Sequence, residues 1–466
     1  MGPAFERVRE RLHREGRLTF AAFMVEALHG PEGYYTRRPR LGGADADFFT
    51  SPELHPAFGA LLGRLAAQVW VALGRPAVFD LVEHGPGTGA LCRDLLDWAD
   101  HEAPELAQAV RYHLIEVSAP LQAVQRETLT SAGLPDSRVT WEETPSPTPH
   151  HSYHGAPQSC LPWGPLPPRP HGPARGRSLA PSPSQGEGRG GGFSGLILAN
   201  ELVDALPVHL VTMRDGRLLE RYVVWDGDRL GWQDDTPSTE ALSAYFERLG
   251  VWPGEGCLAE VNLAGIDWLE QTAASLDRGG LLVLDYGYPA SELYAPTRRH
   301  GTLLTYSGHT LGSDPLRNVG AQDITAHVDF TSLARAGERG GLVTVGLISQ
   351  AALLRKLGID DFLRQLDRST LAGTDHDANR RALLALIEPD GLGRIQGLLQ
   401  TRSLSHPDAL VGDHPDRAPG SADDWLPLLR AGQMRLPGPL EAEGFVDLEG
   451  QWRELFQGAS DDESPS

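Results

Sequence analysis

Glu83, Gly85, Gly87 and Gly89 stand together in the stretch "EHGPGTG", and their types and spacing are those of a ligand-binding turn. The apolar run "AVFDLV" leads into it and the helical pattern "ALCRDLLDWA" follows, so a buried strand passes through a tight turn into a helix. Glycines at alternate positions let the backbone turn sharply and meet a ligand with no Cβ in the way. The dinucleotide fingerprint is GxGxxG. Here the spacing is GxGxG with an acid two residues ahead, which suits S-adenosylmethionine better than NAD, because that ligand has no pyrophosphate to seat on a helix N-terminus. An ordinary glycine-rich turn is the competing explanation.

Two further groups have chemistry to offer. Glu116 closes the apolar run "YHLIEVS", where a nucleotide-binding α/β fold places an acid to accept two ribose hydroxyls, although a solvated carboxylate at a strand end would read the same. In "LANELVDALP", Asn200, Glu201 and Asp204 put one amide and two carboxylates within five residues, just past another apolar run. A helix N-terminus with capping acids is the alternative there. If the motif opens a helix, Asp204 lies one turn from Asn200 and both face one cleft.

These residues need a scaffold, and the surrounding pattern supplies one. From "AVFDLVEHG" to "VTWEE", strand-like runs alternate with helical ones, the pattern of a doubly wound α/β sheet. "SGLILAN" and "LLVLDYG" continue it. Between them, "LVTMRDGRLLERYVVWDGDRLGW" alternates with period two and turns at Asp215-Gly216, which predicts a hairpin or small meander. The expected organisation is a helical segment over 1–75 that covers the site, and a core over 76–348 with a hairpin and helical insertion at 208–275. A mostly helical region follows over 349–457, then a solvated tail over 458–466. In the N-terminal segment, "TFAAFMVEALHG" predicts a helix ending at Gly30. Residues 145–192 break the pattern: 27 of these 48 are Pro, Gly or Ser, too many for the segment to bury a core, so it is expected to be a disordered insertion. Its histidines at 150, 151, 154 and 171 are expected to be loop residues rather than a metal tract, and no metal site is expected.

Composition narrows the function. A chain of 466 residues with net charge −21 lacks the basic surface that nucleic acid requires. Three scattered cysteines fit a reducing compartment, and the charged start "MGPAFERVRERLHREG" is not a secretory signal. The apolar stretch "AFGALLGRLAAQVWVALG" carries Arg64 and Gln68, so it reads as a packed helix rather than a membrane span. The expected setting is cytoplasmic, with no membrane insertion.

"EHGPGTGAL", "YHLIEVSAPLQAVQ", "LANELVDALPV", "LLVLDYGY" and "GTLLTYSGHTLGSDPLRNVGAQDITAHVDF" occur in the order seen in the MidA family of class I S-adenosylmethionine-dependent methyltransferases, which includes a mitochondrial protein arginine methyltransferase. "GYYTRRPRLGGADADFFTSPELHPAFG" resembles the family's N-terminal segment. The resemblance covers roughly residues 5–360, interrupted by the insertion. It departs at Ala46-Asp47-Phe48-Phe49, at the insertion, and at the weakly matching "GFVDLEGQW".

The resemblance implies a Rossmann-like seven-stranded sheet that binds S-adenosylmethionine. Gly85, Pro86, Gly87 and Gly89 would cradle its methionine part with Glu83 nearby, Glu116 and Val117 would meet the ribose, and Thr50, Ser51 and Glu53 would cover the site. Asn200, Glu201 and Asp204 would line the acceptor side as catalytic residues, with Asp285-Tyr286 beside them and Asp285 also touching the cofactor. The implied acceptor is a protein arginine, with Glu201 and Asp204 gripping the guanidinium. A small-molecule methyltransferase and a catalytically weak assembly factor are the alternatives. The oligomeric state stays open, a homodimer among the options. His309 and His327 are expected to be packed or solvated rather than bases.

Overall fold

The structure, a computed structural model, describes residues 2–37, 50–142, 192–307, 310–371, 373–405, 407–410 and 425–430. The 145–192 insertion lies outside the described residues apart from Gly192, and so do Ala46–Phe49, His309 and the 458–466 tail.

The apolar runs form a seven-stranded sheet. In chain order its strands are β1 (Phe79–His84), β2 (Val110–Ile115), β3 (Val139–Glu142), β4 (Phe193–Asn200), β5 (Leu276–Asp285), β6 (Val343–Ser349) and β7 (Gln396–Arg402). Their order across the sheet is β3-β2-β1-β4-β5-β7-β6. All pairings from β3 to β5 are parallel, and β7 runs antiparallel to both β5 and β6.

Alternate residues of these strands enter different cores, as the two-residue period requires. Leu81, Leu114, Leu196, Leu198 and Leu282 pack against the helices Ala57–Ala72 and Ala90–Glu102 and against the C-terminal helices. Val82, Ile115, Ile197, Leu281 and Val283 pack on the other face, against the helices Leu263–Ser275 and Phe330–Arg339. A sheet covered on both faces leaves its carboxyl edge as the place for a ligand.

The C-terminal region departs from the helical expectation. Helices do occupy Gln350–Lys356, Ile359–Arg368 and Thr374–Ala385, but "QGLLQTR" at Gln396–Arg402 is a sheet strand inserted between β5 and β6. Its buried polar residues hid it: Gln400 and Thr401 interrupt the apolar pattern, and the Gln400 amide nitrogen finds its partners far along the chain, donating to the Ala334 carbonyl at 2.8 Å and to Thr344 Oγ1 at 2.9 Å.

A second, antiparallel sheet joins Arg17–Thr19, His209–Arg214, Arg217–Asp226, Arg229–Asp235 and Leu258–Val261. The hairpin turns at Asp215 and Gly216, both with positive φ (51° and 69°), the geometry that matches the twist of the flanking strands. Helix Pro3–Glu15 and the helical stretch Phe20–His29, whose last turn is π-helical and ends at Gly30, pack on this sheet. Among the described residues no helix is long and apolar enough to cross a membrane.

Gly195 shows how tightly the main sheet is built. A Cβ there would lie 1.9 Å from the Asp80 carbonyl oxygen of β1, a backbone atom that cannot swing aside. Gly195→Ala should cost about 3 kcal/mol of stability through overpacking, read as a fall in the denaturant midpoint. An unchanged midpoint would contradict this strand spacing.

Candidate active site

The glycine turn leaves β1 at its carboxyl end and enters the helix Ala90–Glu102. Gly85, Gly87 and Gly89 all have positive φ (66°, 53° and 81°), a conformation that side chains with a Cβ rarely adopt. A Cβ at Gly87 would point into open space among the described residues, so the turn leaves bare backbone there. Pro86 is buried within the turn. Glu83 lies beneath it, where Tyr112 donates a 2.7 Å hydrogen bond to Oε2 and burial raises the carboxyl pKa to about 8.

Glu116 follows β2 and is fixed from its own loop. The Ser118 amide donates to Oε1 at 2.8 Å and Gln125 Nε2 to Oε2 at 3.2 Å. Gln125 also donates to the Gly87 carbonyl at 2.9 Å and accepts from Trp141 Nε1 at 3.1 Å, so one amide joins the glycine turn to the acid after β2. Burial raises Glu116 to about 7 against those donors. Val117 is exposed beside it.

The short helix Ser51–Leu54 reaches both halves of the cleft. Thr88 of the glycine turn donates its hydroxyl to Glu53, whose carboxyl is raised by burial. The Ser51 amide donates to Glu201 Oε1 at 3.4 Å, and its hydroxyl to Gln350 Oε1 at 3.0 Å. Thr50 precedes this helix, its carbonyl accepting from the Glu53 and Leu54 amides.

Past β4, residues 201–206 form a tight turn and not the start of a helix. Glu201 sits at φ 47°, and its amide donates to the Leu284 carbonyl at 2.8 Å. The cause of the turn is Asp285, fully buried at the end of β5. Its Oδ2 accepts from the amides of Leu202, Val203 and Asp204 at 3.2, 2.8 and 3.2 Å, and its Oδ1 from the Tyr286 amide at 2.8 Å. Asn200 Nδ2 donates to Glu201 Oε1 at 3.1 Å, while Asn200 Oδ1 is buried with no partner among the described residues. Asp285→Asn would set an amide group against backbone N–H donors. It should lower stability by about 2–3 kcal/mol, measurable by thermal melting; an unaltered melt would mean the turn does not depend on that carboxylate.

The expected acceptor residues therefore converge, by a mechanism the motif alone did not announce. Burial and Asp285 raise Glu201 to about 8. Burial, then Asp285, Glu201 and Asp323, push Asp204 well above the carboxylate range. Tyr286 joins these acids, as the resemblance implied; the sequence reading missed Asp323, Tyr35 and Tyr306, which join them too. Tyr286 and Tyr306 are raised by burial and by Glu201 and Asp204 among their neighbours. The signal was present in "GYYT" and "LLTYS", but nothing local marks those tyrosines as site residues. No cluster of metal-binding character occurs among the described residues.

His327 is a packed residue, as expected. Its ring lies against Tyr288 with centroids 5.5 Å apart, and burial plus the charges of Arg298 and Arg394 lower its pKa to about 3.

The donor set fits S-adenosylmethionine: left-handed glycines exposing backbone, an acid after β2 to accept hydroxyl hydrogens, and an orphaned amide oxygen on the acceptor side. Residues 61–348 match a family described as "Putative S-adenosyl-L-methionine-dependent methyltransferase". The chain is 31% identical to the mitochondrial protein arginine methyltransferase NDUFAF7 of Mus musculus, over 78% of this chain and 76% of that one. It is 31% identical to the human protein of that name, over 78% and 75%. A crystal structure from Burkholderia thailandensis with bound S-adenosyl-homocysteine shares 26% identity at a TM-score of 0.69, covering 87% of this chain and 95% of that one. Sheet order, site and relatives agree: the chain belongs to the MidA family of class I S-adenosylmethionine-dependent methyltransferases.

Proposed function

We propose that this enzyme methylates the guanidino group of an arginine in a protein acceptor. The observation that carries the reading is the pair of buried acids, Glu201 and Asp204, set at the end of β4 with Asp285 and Asp323 as their acidic neighbours. Without a cation, burial and mutual repulsion hold Glu201 and Asp204 largely in their neutral forms. A guanidinium favours their charged forms and offers a planar fork of N–H donors that carboxylates grip in pairs. The relatives named protein arginine methyltransferases support the same reading.

When bound, S-adenosylmethionine supplies a methyl group already activated on a sulfonium. The protein has to align the acceptor nitrogen with it, an orientation effect worth about 7–11 kcal/mol. The guanidinium stays protonated in water, its pKa lying above about 12. Glu201 and Asp204 hold it so that one nitrogen faces the methyl. As that nitrogen forms its new bond to carbon and the carbon–sulfur bond breaks, its surplus proton passes to the Asp204 carboxylate.

Burial favours the neutral forms of both acids, raising Glu201 to about 8 and Asp204 well above the ordinary carboxylate range, so both are largely protonated in the free enzyme at pH 7 and ionise as the pH rises. Arginine methylation should therefore climb in kcat/KM as the pH rises from 7 through about 8. A profile flat from roughly pH 6 to 9 would contradict the carboxylate clamp.

The test of the function itself is incubation with labelled S-adenosylmethionine and a lysate of cells lacking this enzyme. Label on arginine in the protein fraction is the expected result. Label confined to small molecules would overturn the reading.

A further inference from the structure

Tyr35 sits where the two halves of the site meet. It follows the helical stretch Phe20–His29, and its amide donates to the Leu28 carbonyl at 2.9 Å. Its own carbonyl accepts from Ser118 Oγ at 2.8 Å, and Ser118 in turn donates its amide to Glu116 at 2.8 Å. At the other end of the residue, the phenol donates to Asp323 and lies 3.0 Å from both carboxylate oxygens. The ring stacks on His29 with centroids 5.4 Å apart, and Tyr34 packs edge-on at 5.1 Å, so packing fixes the direction of the hydroxyl.

Asp323 is tied to the acceptor turn independently. It opens the strand Asp323–Thr325 opposite Tyr306 on the neighbouring strand, and the following Ala326 amide donates to the Asp204 carbonyl at 2.9 Å. A continuous chain of contacts thus runs from Glu116 through Ser118, Tyr35 and Asp323 to the Asp204 turn. Burial and the Asp323 charge push the Tyr35 phenol well above its ordinary range, so it remains a donor.

We propose that Tyr35 is a positioning residue for the methyl acceptor, holding Asp323 beside Asp204 so that two carboxylates from separate elements bracket one planar cation. The inference rests on the arginine reading and deepens it. A guanidinium has N–H donors on more than one edge and fills a two-sided carboxylate site, whereas an ammonium is a compact point charge with less need of one. Through Ser118, the same residue ties the acceptor clamp to the loop that carries Glu116.

Tyr35→Phe removes the hydroxyl donor and keeps the ring, its stacking and both backbone ties. The probe is a synthetic acetyl-Gly-Arg-Gly amide, methylated from labelled S-adenosylmethionine. The expected result is a KM for the peptide raised about 10-fold, from one lost hydrogen bond to a charged group. The kcat and the affinity for S-adenosylhomocysteine should be nearly unchanged, a split that general loosening of the fold would not produce. Asp323→Asn, which preserves shape, should also raise KM, and adding Tyr35→Phe to it should change little further, because the two residues act as one unit. A wild-type KM in Tyr35→Phe, or full additivity with Asp323→Asn, overturns the inference while leaving the arginine reading in place. A wild-type enzyme that leaves the peptide unmethylated sinks the arginine reading, and this inference falls with it.

Discussion

Asp204→Asn should leave donor binding nearly intact and slow methyl transfer by about 100- to 10,000-fold, the range for a lost proton acceptor. The side chain is buried, 8% exposed, in a turn whose Leu202, Val203 and Asp204 amides are held by Asp285; the one backbone bond that Asp204 accepts, from Ala205, can be kept by the asparagine Oδ1, so the substitution spares the backbone. What it removes is the charge that Glu201 and Asp323 act on and that, on the proposed mechanism, accepts the proton from the acceptor nitrogen. Calorimetry with S-adenosylhomocysteine and a labelled-methyl assay separate the two effects. Full activity in Asp204→Asn would remove Asp204 from the mechanism and leave Glu201 as the carboxylate to examine.

Gly87→Val should weaken S-adenosylmethionine binding by about 100-fold or more. A β-branched residue at φ 53° is strained by itself, and a left-handed conformation costs roughly 1–2 kcal/mol for a residue with a Cβ. Among the described residues, no atom beyond its chain neighbours lies within 4 Å of the position its Cβ would take, so the fold can accept the side chain. If the turn cradles the cofactor, that side chain takes up the space the ligand needs. The expected signature is a modest loss of stability with a large loss of cofactor affinity, measured by thermal melting and calorimetry. Unimpaired binding in a folded Gly87→Val protein would mean that the turn does not cradle the cofactor.

Much of this arrangement was legible in the sequence where the signal is local. The apolar runs before Gly85, Glu116, Asn200 and Asp285 became β1, β2, β4 and β5 because a strand covered on both faces is apolar almost throughout. The Asp215-Gly216 turn was readable because two left-handed residues there require those residue types. The part that stayed hidden is non-local. Strand β7 contains buried Gln400 and Thr401, and its identity as a strand comes from pairing with residues more than a hundred positions earlier in β5. The turn at 201–206 looked like a helix start because its acids suit one. Its true organiser, Asp285, lies about eighty residues downstream. The Tyr35 to Asp323 bond spans 288 positions, beyond any spacing rule.

The central claim is that Glu201 and Asp204 receive an arginine guanidinium beside the glycine turn. A crystal structure with S-adenosylhomocysteine and an arginine peptide tests it most directly. The account predicts guanidinium nitrogens within about 2.7–3.2 Å of the Asp204 and Glu201 carboxylates, with the cofactor product against Gly85 to Gly89. A peptide whose arginine lies outside that pocket while the cofactor product occupies the glycine turn would contradict it.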